Sequence, residues 1–251
     1  MKTLSSRAPT YEEEGGNTLA SFKSLIALMG LIITLAPLGC SSTPPLEQLQ
    51  TKLASAPDYS IILEDMQESG TFVPIYYHKY RIVQGERAIT TDWLKVSKSD
   101  YQTNKSFLGM TLVSKTASGV NITAHPPGYG YVGNSQYGSW QTGSGGSFWM
   151  FYGQYALMRD MLGMGRGPIF RRDYDTYQTH RTQRRPYYGP KQGGAQKYGT
   201  QGTVTRQTKP TFFDRRTAKD RMKRDSFQRK FQRRAGRSSF PSRGGGMGFG
   251  K

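Results

Sequence analysis

The chain has a single cysteine, Cys40, in 251 residues. That excludes an intramolecular disulfide, and with it the paired-cysteine zinc and redox motifs. Histidine is almost as scarce: His78, His125 and His180 stand far apart and in no metal-ligand spacing, so neither a metal nor another cofactor is expected. No G-x-S-x-G, H-E-x-x-H or Walker-type pattern occurs. Glu64, Asp65 and Glu68, with His78, are groups of acid/base type, but carboxylates on a turn are ordinarily solvated, and a non-catalytic protein is expected. Long apolar runs are missing too. The uncharged stretch Leu25–Leu38 covers 14 residues and falls short of the roughly 20 that span a bilayer as a helix.

Acidic residues are scarce in the second part of the chain. From Gly163 to Lys251 there are 23 Lys or Arg against five Asp or Glu, a net of +18, whereas residues 1–162 carry 12 of each sign. A neutral part joined to a basic part points to a polyanion or an anionic surface as partner of the basic one.

The apolar stretch has the anatomy of an export signal: Lys23 precedes it, Leu25–Leu38 forms its core, and Gly39-Cys40-Ser41-Ser42 closes it. A small residue directly before a cysteine at the end of such a core resembles the lipobox of bacterial lipoproteins. That resemblance implies that residues 1–39 are a leader and signal peptide and that the Cys40 thiol receives a diacylglycerol. The new amino terminus can then be acylated as well, for instance with palmitate. Two or three chains would hold the protein stably, since each buried methylene contributes about 0.8 kcal/mol and one chain is marginal. Ser41 after the cysteine resembles lipoproteins sorted to an outer membrane, facing the periplasm. The alternative for residues 25–38 is an uncleaved amphiphilic helix or a buried strand.

Residues 40–57 read as a lipid-anchored tether, with Pro44-Pro45 followed by Leu46, Leu49 and Leu53 at helical spacing. Residues 58–162 hold enough apolar side chains for one small core. Tyr59–Leu63 and Phe72–Val83 are strand-like, Ser97 to Leu108 reads as a helix stopped by Gly109, and Met110–Ser114 with Val120–Ala124 forms a hairpin across Ala117–Gly119. The expected fold is α+β, a small mainly antiparallel sheet with one or two helices.

Tyr129, Tyr131, Tyr137 and Trp140 lie in a Gly-Tyr stretch with no phosphate-loop pattern. Two readings stand: the rings pack a loop onto the core, or they form an exposed aromatic strip able to stack on a sugar or a protein partner. Ser147 could cap a helix over Phe148–Met158, which includes Trp149 and is apolar nearly all round; it is either the central helix of the core or an interface.

Beyond Gly163 apolar periodicity fades, and Tyr174, Tyr177, Tyr187, Tyr188 and Tyr198 are scattered among Arg, Gln, Gly and Pro. Such a composition is expected to remain a disordered basic tail over residues 163–251. Its best candidate for local order is Pro210–Arg234, where Arg215, Arg216, Lys223, Arg224, Arg229, Lys230, Arg233 and Arg234 surround Phe227 and Phe231 at i,i+4. The glycine-rich end resembles arginine-glycine tails that bind nucleic acid, but behind an export signal nucleic acid is a poor partner. Anionic lipids and envelope polymers are the expected ones. Lipobox, Tyr/Gly middle and Arg/Gly tail together are similar to an uncharacterised family of bacterial lipoproteins, which implies an address in the cell envelope and a binding or scaffolding role.

Overall fold

The computed structural model describes residues 43–70, 73–85, 87–153, 167–191 and 193–235. Cys40, the signal segment, the second half of the expected helix Phe148–Met158 and the glycine-rich end lie outside the described residues.

The core is α+β with a mostly antiparallel sheet. Its main sheet runs in the order β3-β2-β1-β5-β6, built from β1 (Tyr59–Ser69), β2 (Ile75–Gln84), β3 (Arg87–Thr90), β5 (Thr111–Thr116) and β6 (Gly119–Asn121). β4 (Leu94–Val96) pairs with the other end of β2. Central β1 is buried over its first five residues, Tyr59 to Leu63, as a strand covered on both faces must be. Between Leu63 and Asp65 the register with β2 slips, so Glu64 is the extra residue of a β-bulge. The expected hairpin is present: Thr116 faces Gly119 across the two-residue loop Ala117-Ser118.

Five helices occur among the described residues, against the one or two expected: α1 (Pro45–Lys52), α2 (Lys98–Asn104), α3 (Arg171–Thr182), α4 (Thr203–Thr208) and α5 (Pro210–Ala235). Ser97 caps α2 as its position suggests, its Oγ accepting from the Asp100 amide at 3.0 Å. α1 starts at the predicted proline, but it is no tether. Leu46, Leu49 and Leu53 pack against the cluster of Tyr59, Ile61, Leu63 and Leu112, so the helix belongs to the fold.

Phe148–Phe151 is a strand and not the start of a helix. It belongs to β8 (Gly146–Phe151), which joins β7 (Gly138–Gly143) through the two-residue loop Ser144-Gly145 and sets Trp149 opposite Trp140. β9 (Ile169–Phe170) completes this second sheet. Trp149 and Phe151 are buried while Met150 between them is exposed, the period-two pattern of a half-covered strand. The four large apolar residues hid that alternation.

The largest correction concerns the basic segment. The part described, from Gly167 on, is where the core is completed. Ile169, Tyr177 and Tyr187 join Tyr129, Tyr131, Tyr137 and Trp149 in one cluster, and Tyr198 and Phe212 join Leu63, Leu108 and Met110 in the other. The rings meet mainly edge to face, Tyr129 with Tyr177 and with Tyr187 each at 5.5 Å. Their hydroxyls are satisfied: Tyr177 accepts from Asn121 Nδ2 at 3.0 Å, Tyr131 from Ser60 Oγ at 3.1 Å, and Tyr137 donates to Asp58 at 3.2 Å. A buried tyrosine removes about 150–250 Å² from water, so a chain with few Leu and Val can build a core from aromatics.

Three glycines of this segment, Gly189, Gly199 and Gly202, are close-packing positions. Gly199 has φ +82°, and a Cβ there would sit 2.7 Å from the Ser106 carbonyl oxygen. Next to it, the Thr200 amide donates to Ser106 O at 3.0 Å and its hydroxyl to Lys105 O at 2.6 Å, pinning residues 198–202 against the end of α2.

Candidate polyanion interface

α5 is two things in sequence. Its base is docked: Phe212 is buried and Phe213 packs beside it, while the cations that follow face carboxylates of β1. Arg215 Nη2 lies 2.6 and 2.7 Å from the two Asp65 oxygens, and Lys219 Nζ lies 3.1 Å from Glu68 Oε1 and also donates to the Glu68 carbonyl. Lys209, just before the helix, pairs with Glu64, which Arg81 also contacts at 2.9 Å. Burial of Lys209 pushes its pKa down, opposed by the Glu64 carboxylate. The bulge at Glu64 places Glu64 and Asp65 side by side within reach of these cations, as bulges re-aim side chains. Partly exposed ion pairs contribute about 0–1 kcal/mol each, against about 1.5–3 kcal/mol for burying one Phe side chain, so Phe212 holds the base and the ion pairs orient it.

The distal part is free. Every residue from Asp220 to Arg234 is exposed. Arg221, Lys223, Arg224, Arg229, Lys230, Arg233 and Arg234 outnumber Asp220 and Asp225, and no ion pair joins any of the seven to a carboxylate among the described residues. Phe227 and Phe231 are 69% and 64% exposed, one turn apart on this basic rod. Fifteen residues of helix extend about 22 Å. An isolated helix of that length is marginal in water, and the docked base supplies the nucleus from which it propagates.

All eight basic residues expected to contact a partner are therefore on α5, but not equivalent. Arg215 is committed to Asp65, and Arg216 and Lys223 border a cavity at the foot of the helix. Arg224, Arg229, Lys230, Arg233 and Arg234 belong to the free turns. The reading from sequence missed Lys219, although Phe212, Arg215, Lys219 and Lys223 form an i, i+3, i+7, i+11 row, the signal of one helix face.

The aromatic strip, the second of the two readings, is not exposed. Tyr129, Tyr131, Tyr137 and Trp149 are each 5% exposed or less, because each packs in the cluster that the basic segment completes. Trp140 is half-buried, between Trp149 at 5.1 Å and the Arg171 guanidinium at 4.8 Å from its ring centroid. The packing alternative is the one realised.

The acid/base groups are occupied. Glu64, Asp65 and Glu68 lie on β1 facing cations. His78 is fully buried, its Nδ1 2.9 Å from the Tyr80 hydroxyl, and burial pushes its pKa down to about 4. His125 is buried with Nδ1 2.8 Å from the Thr123 carbonyl oxygen, and its pKa is also lowered by burial to about 4. Its Nε2 lies 3.5 Å from Ser114 Oγ, a pairing with the residue types of a nucleophile and base. Gly130 closes over it so tightly that a Cβ would come 2.8 Å from Ser114 Oγ, and Ser114 and His125 are both buried. Among the described residues no group of three His, Cys, Asp or Glu is placed to hold a metal, and no helix is long and apolar enough to cross a membrane. No protein-family model, curated protein or solved structure matches the chain.

Proposed function

We propose that this protein is a lipid-anchored component of a bacterial cell envelope, a non-catalytic binding or scaffolding lipoprotein held through Cys40 at an outer membrane facing the periplasm. Helix α5 contacts an anionic surface there. The observation that carries the reading is the exposed end of α5, with seven cations unpaired by acid among the described residues and two exposed phenylalanines one turn apart. A surface-lying helix takes that form: apolar rings enter the headgroup boundary while Lys and Arg remain at the phosphates. Each cation near an anionic bilayer contributes about 1 kcal/mol, and the sum falls as salt screens it. Envelope polyanions fit this chemistry better than nucleic acid, given the export signal.

The test uses the protein from Cys40 onward and a version ending at Asp220, which keeps the docked base and the core. The longer chain should sediment with phosphatidylglycerol vesicles at low salt and lose most of that binding at about 0.5 M salt, where the screening length drops to a few ångströms. The shorter one should bind at least about tenfold more weakly with an unchanged melting transition. Equal recovery of both at low salt would defeat the surface role of α5. Anchoring has its own readout: a fatty-acid analogue fed to expressing cells should label the wild type and not Cys40→Ala, and label persisting in the variant would refute lipidation at that residue.

A further inference from the structure

At the foot of α5 lies a cavity of about 310 Å³ between the end of β1, α2 and the first turns of the helix. Its wall carries Lys105, Arg215, Arg216, Lys219 and Lys223 against Glu68 and Asp220. Arg215 and Lys219 are taken by Asp65 and Glu68. Lys105, Arg216 and Lys223 have no ion-pair partner among the described residues, and the three converge on one concavity from two different elements. Tyr101 adds a hydroxyl from α2. Its ring is held by stacking on His78 at 5.7 Å and by Tyr76 at 4.8 Å, so the phenol is a fixed donor. Burial and then the Glu68 carboxylate raise its pKa and the Arg216 guanidinium lowers it, so both groups lie within electrostatic reach of the hydroxyl.

We infer that this cavity is a binding site for a phosphate monoester, with Lys105, Arg216 and Lys223 around the phosphoryl oxygens and Tyr101 donating a hydrogen bond. Three cations with only Asp220 left uncompensated suit a group of charge near −2. A diester, with one charge and two substituents on phosphorus, uses fewer of the donors. The volume admits a phosphorylated glycerol or sugar headgroup, which is too large for the phosphoryl group alone to fill. The floor provides apolar contact from Met66 and Phe212 for the carbon part. Arg216 recognises in fork geometry while the two lysines act as movable point charges. The inference goes beyond a general attraction of α5 to anionic surfaces, because it requires a concave, saturable site at the helix base and not the exposed turns that follow.

Two sources share this chemistry, a soluble phosphate monoester and the headgroup of a membrane lipid. The experiment therefore has two arms on the protein from Cys40 onward: titration with glycerol 3-phosphate in solution, and binding to vesicles containing phosphatidic acid against vesicles with phosphatidylglycerol at matched surface charge. Saturable 1:1 binding in solution identifies a soluble ligand. Preference for phosphatidic acid without binding in solution identifies a lipid headgroup. In either case K105Q/R216Q should weaken the interaction by about tenfold or more, the loss of two charge-assisted contacts, while F227S/F231S leaves the preference for the monoester intact. Lys105 and Arg216 are exposed, so the double variant should melt as the wild type does. Absence of monoester binding in both arms, or an affinity unchanged in K105Q/R216Q, would overturn the proposal. Vesicle binding unchanged in F227S/F231S with solution binding retained would instead strike at the surface role of α5 and leave the cavity site standing.

Discussion

Cutting the chain after Leu162 abolishes the cooperative unfolding of residues 58–153 and does not release an intact domain. The cut removes Ile169, Tyr177 and Tyr187 from one cluster and Tyr198 and Phe212 from the other. Each large ring deleted from a core costs about 3–5 kcal/mol, and a domain of this size holds only about 5–15 kcal/mol in total. A gentler version is Tyr177→Ala. Tyr177 is 1% exposed, touches His125 and Tyr129, and accepts from Asn121, so its loss opens a cavity and strands a buried amide donor. The expected drop is about 3–5 kcal/mol in urea unfolding followed by near-ultraviolet circular dichroism. Amides of 173–182 and of Thr200 should exchange as slowly as those of β1. Fast exchange there, or a normal transition in the shortened chain, would show that the aromatic clusters do not bear on stability.

Acidification from pH 7 to pH 4.5 should strip several kcal/mol from the fold, and two histidines account for most of it. In the unfolded chain both titrate near 6.5. Folded, burial lowers the pKa of each to about 4, although Asp100 partly opposes this at His78 and the Thr123 carbonyl at His125, where Arg181 pushes further down. The unfolded state therefore binds more protons between those values, and stability falls as pH drops from about 6.5 toward 4. Complete passage through the window costs about 3 kcal/mol per group. His78→Phe keeps a flat ring against Tyr101 and removes one of the two titrations, so its urea midpoint should depend on pH about half as steeply. A wild-type midpoint that is flat over this range would sink the assignment. The same two groups remain neutral at pH 7.

What could be read from sequence divides according to how local its causes are. Tyr59–Leu63 as a strand, a helix opening at Ser97 and the hairpin at Ala117–Gly119 each rest on neighbours within a few positions, and the structure has all three, although the helix ends at Asn104 and not at Leu108. Phe148–Phe151 failed because four consecutive large apolar residues carry neither period, and the decision came from a turn at Ser144-Gly145 that pairs them with β7. Tyr177, Tyr187 and Tyr198 failed for a different reason. Spaced about ten apart among Arg and Gly, they show no periodicity, and their partners lie as far away as Leu108, Asn121 and Tyr129. Polar composition is a sound sign of disorder only when aromatics are few, and this chain has 16 tyrosines. For the site, the row of cations on α5 was legible. Tyr101 and Lys105 were not, since nothing in a short polar helix announces that its end will face the foot of another.

The three ion pairs at the base of α5 behave as meshed teeth. Glu64, Asp65 and Glu68 span about 13 Å of strand, and Lys209, Arg215 and Lys219 meet them in the same order along the entry to α5 and its first turns. One residue inserted between Lys209 and Arg215 would turn everything beyond it by about 100° and put the teeth out of mesh. The free turns of α5 thus leave the core at an angle fixed by an acidic strand some 150 positions earlier in the chain. They are an outrigger on a rigid mount, and where the rod points is written in β1.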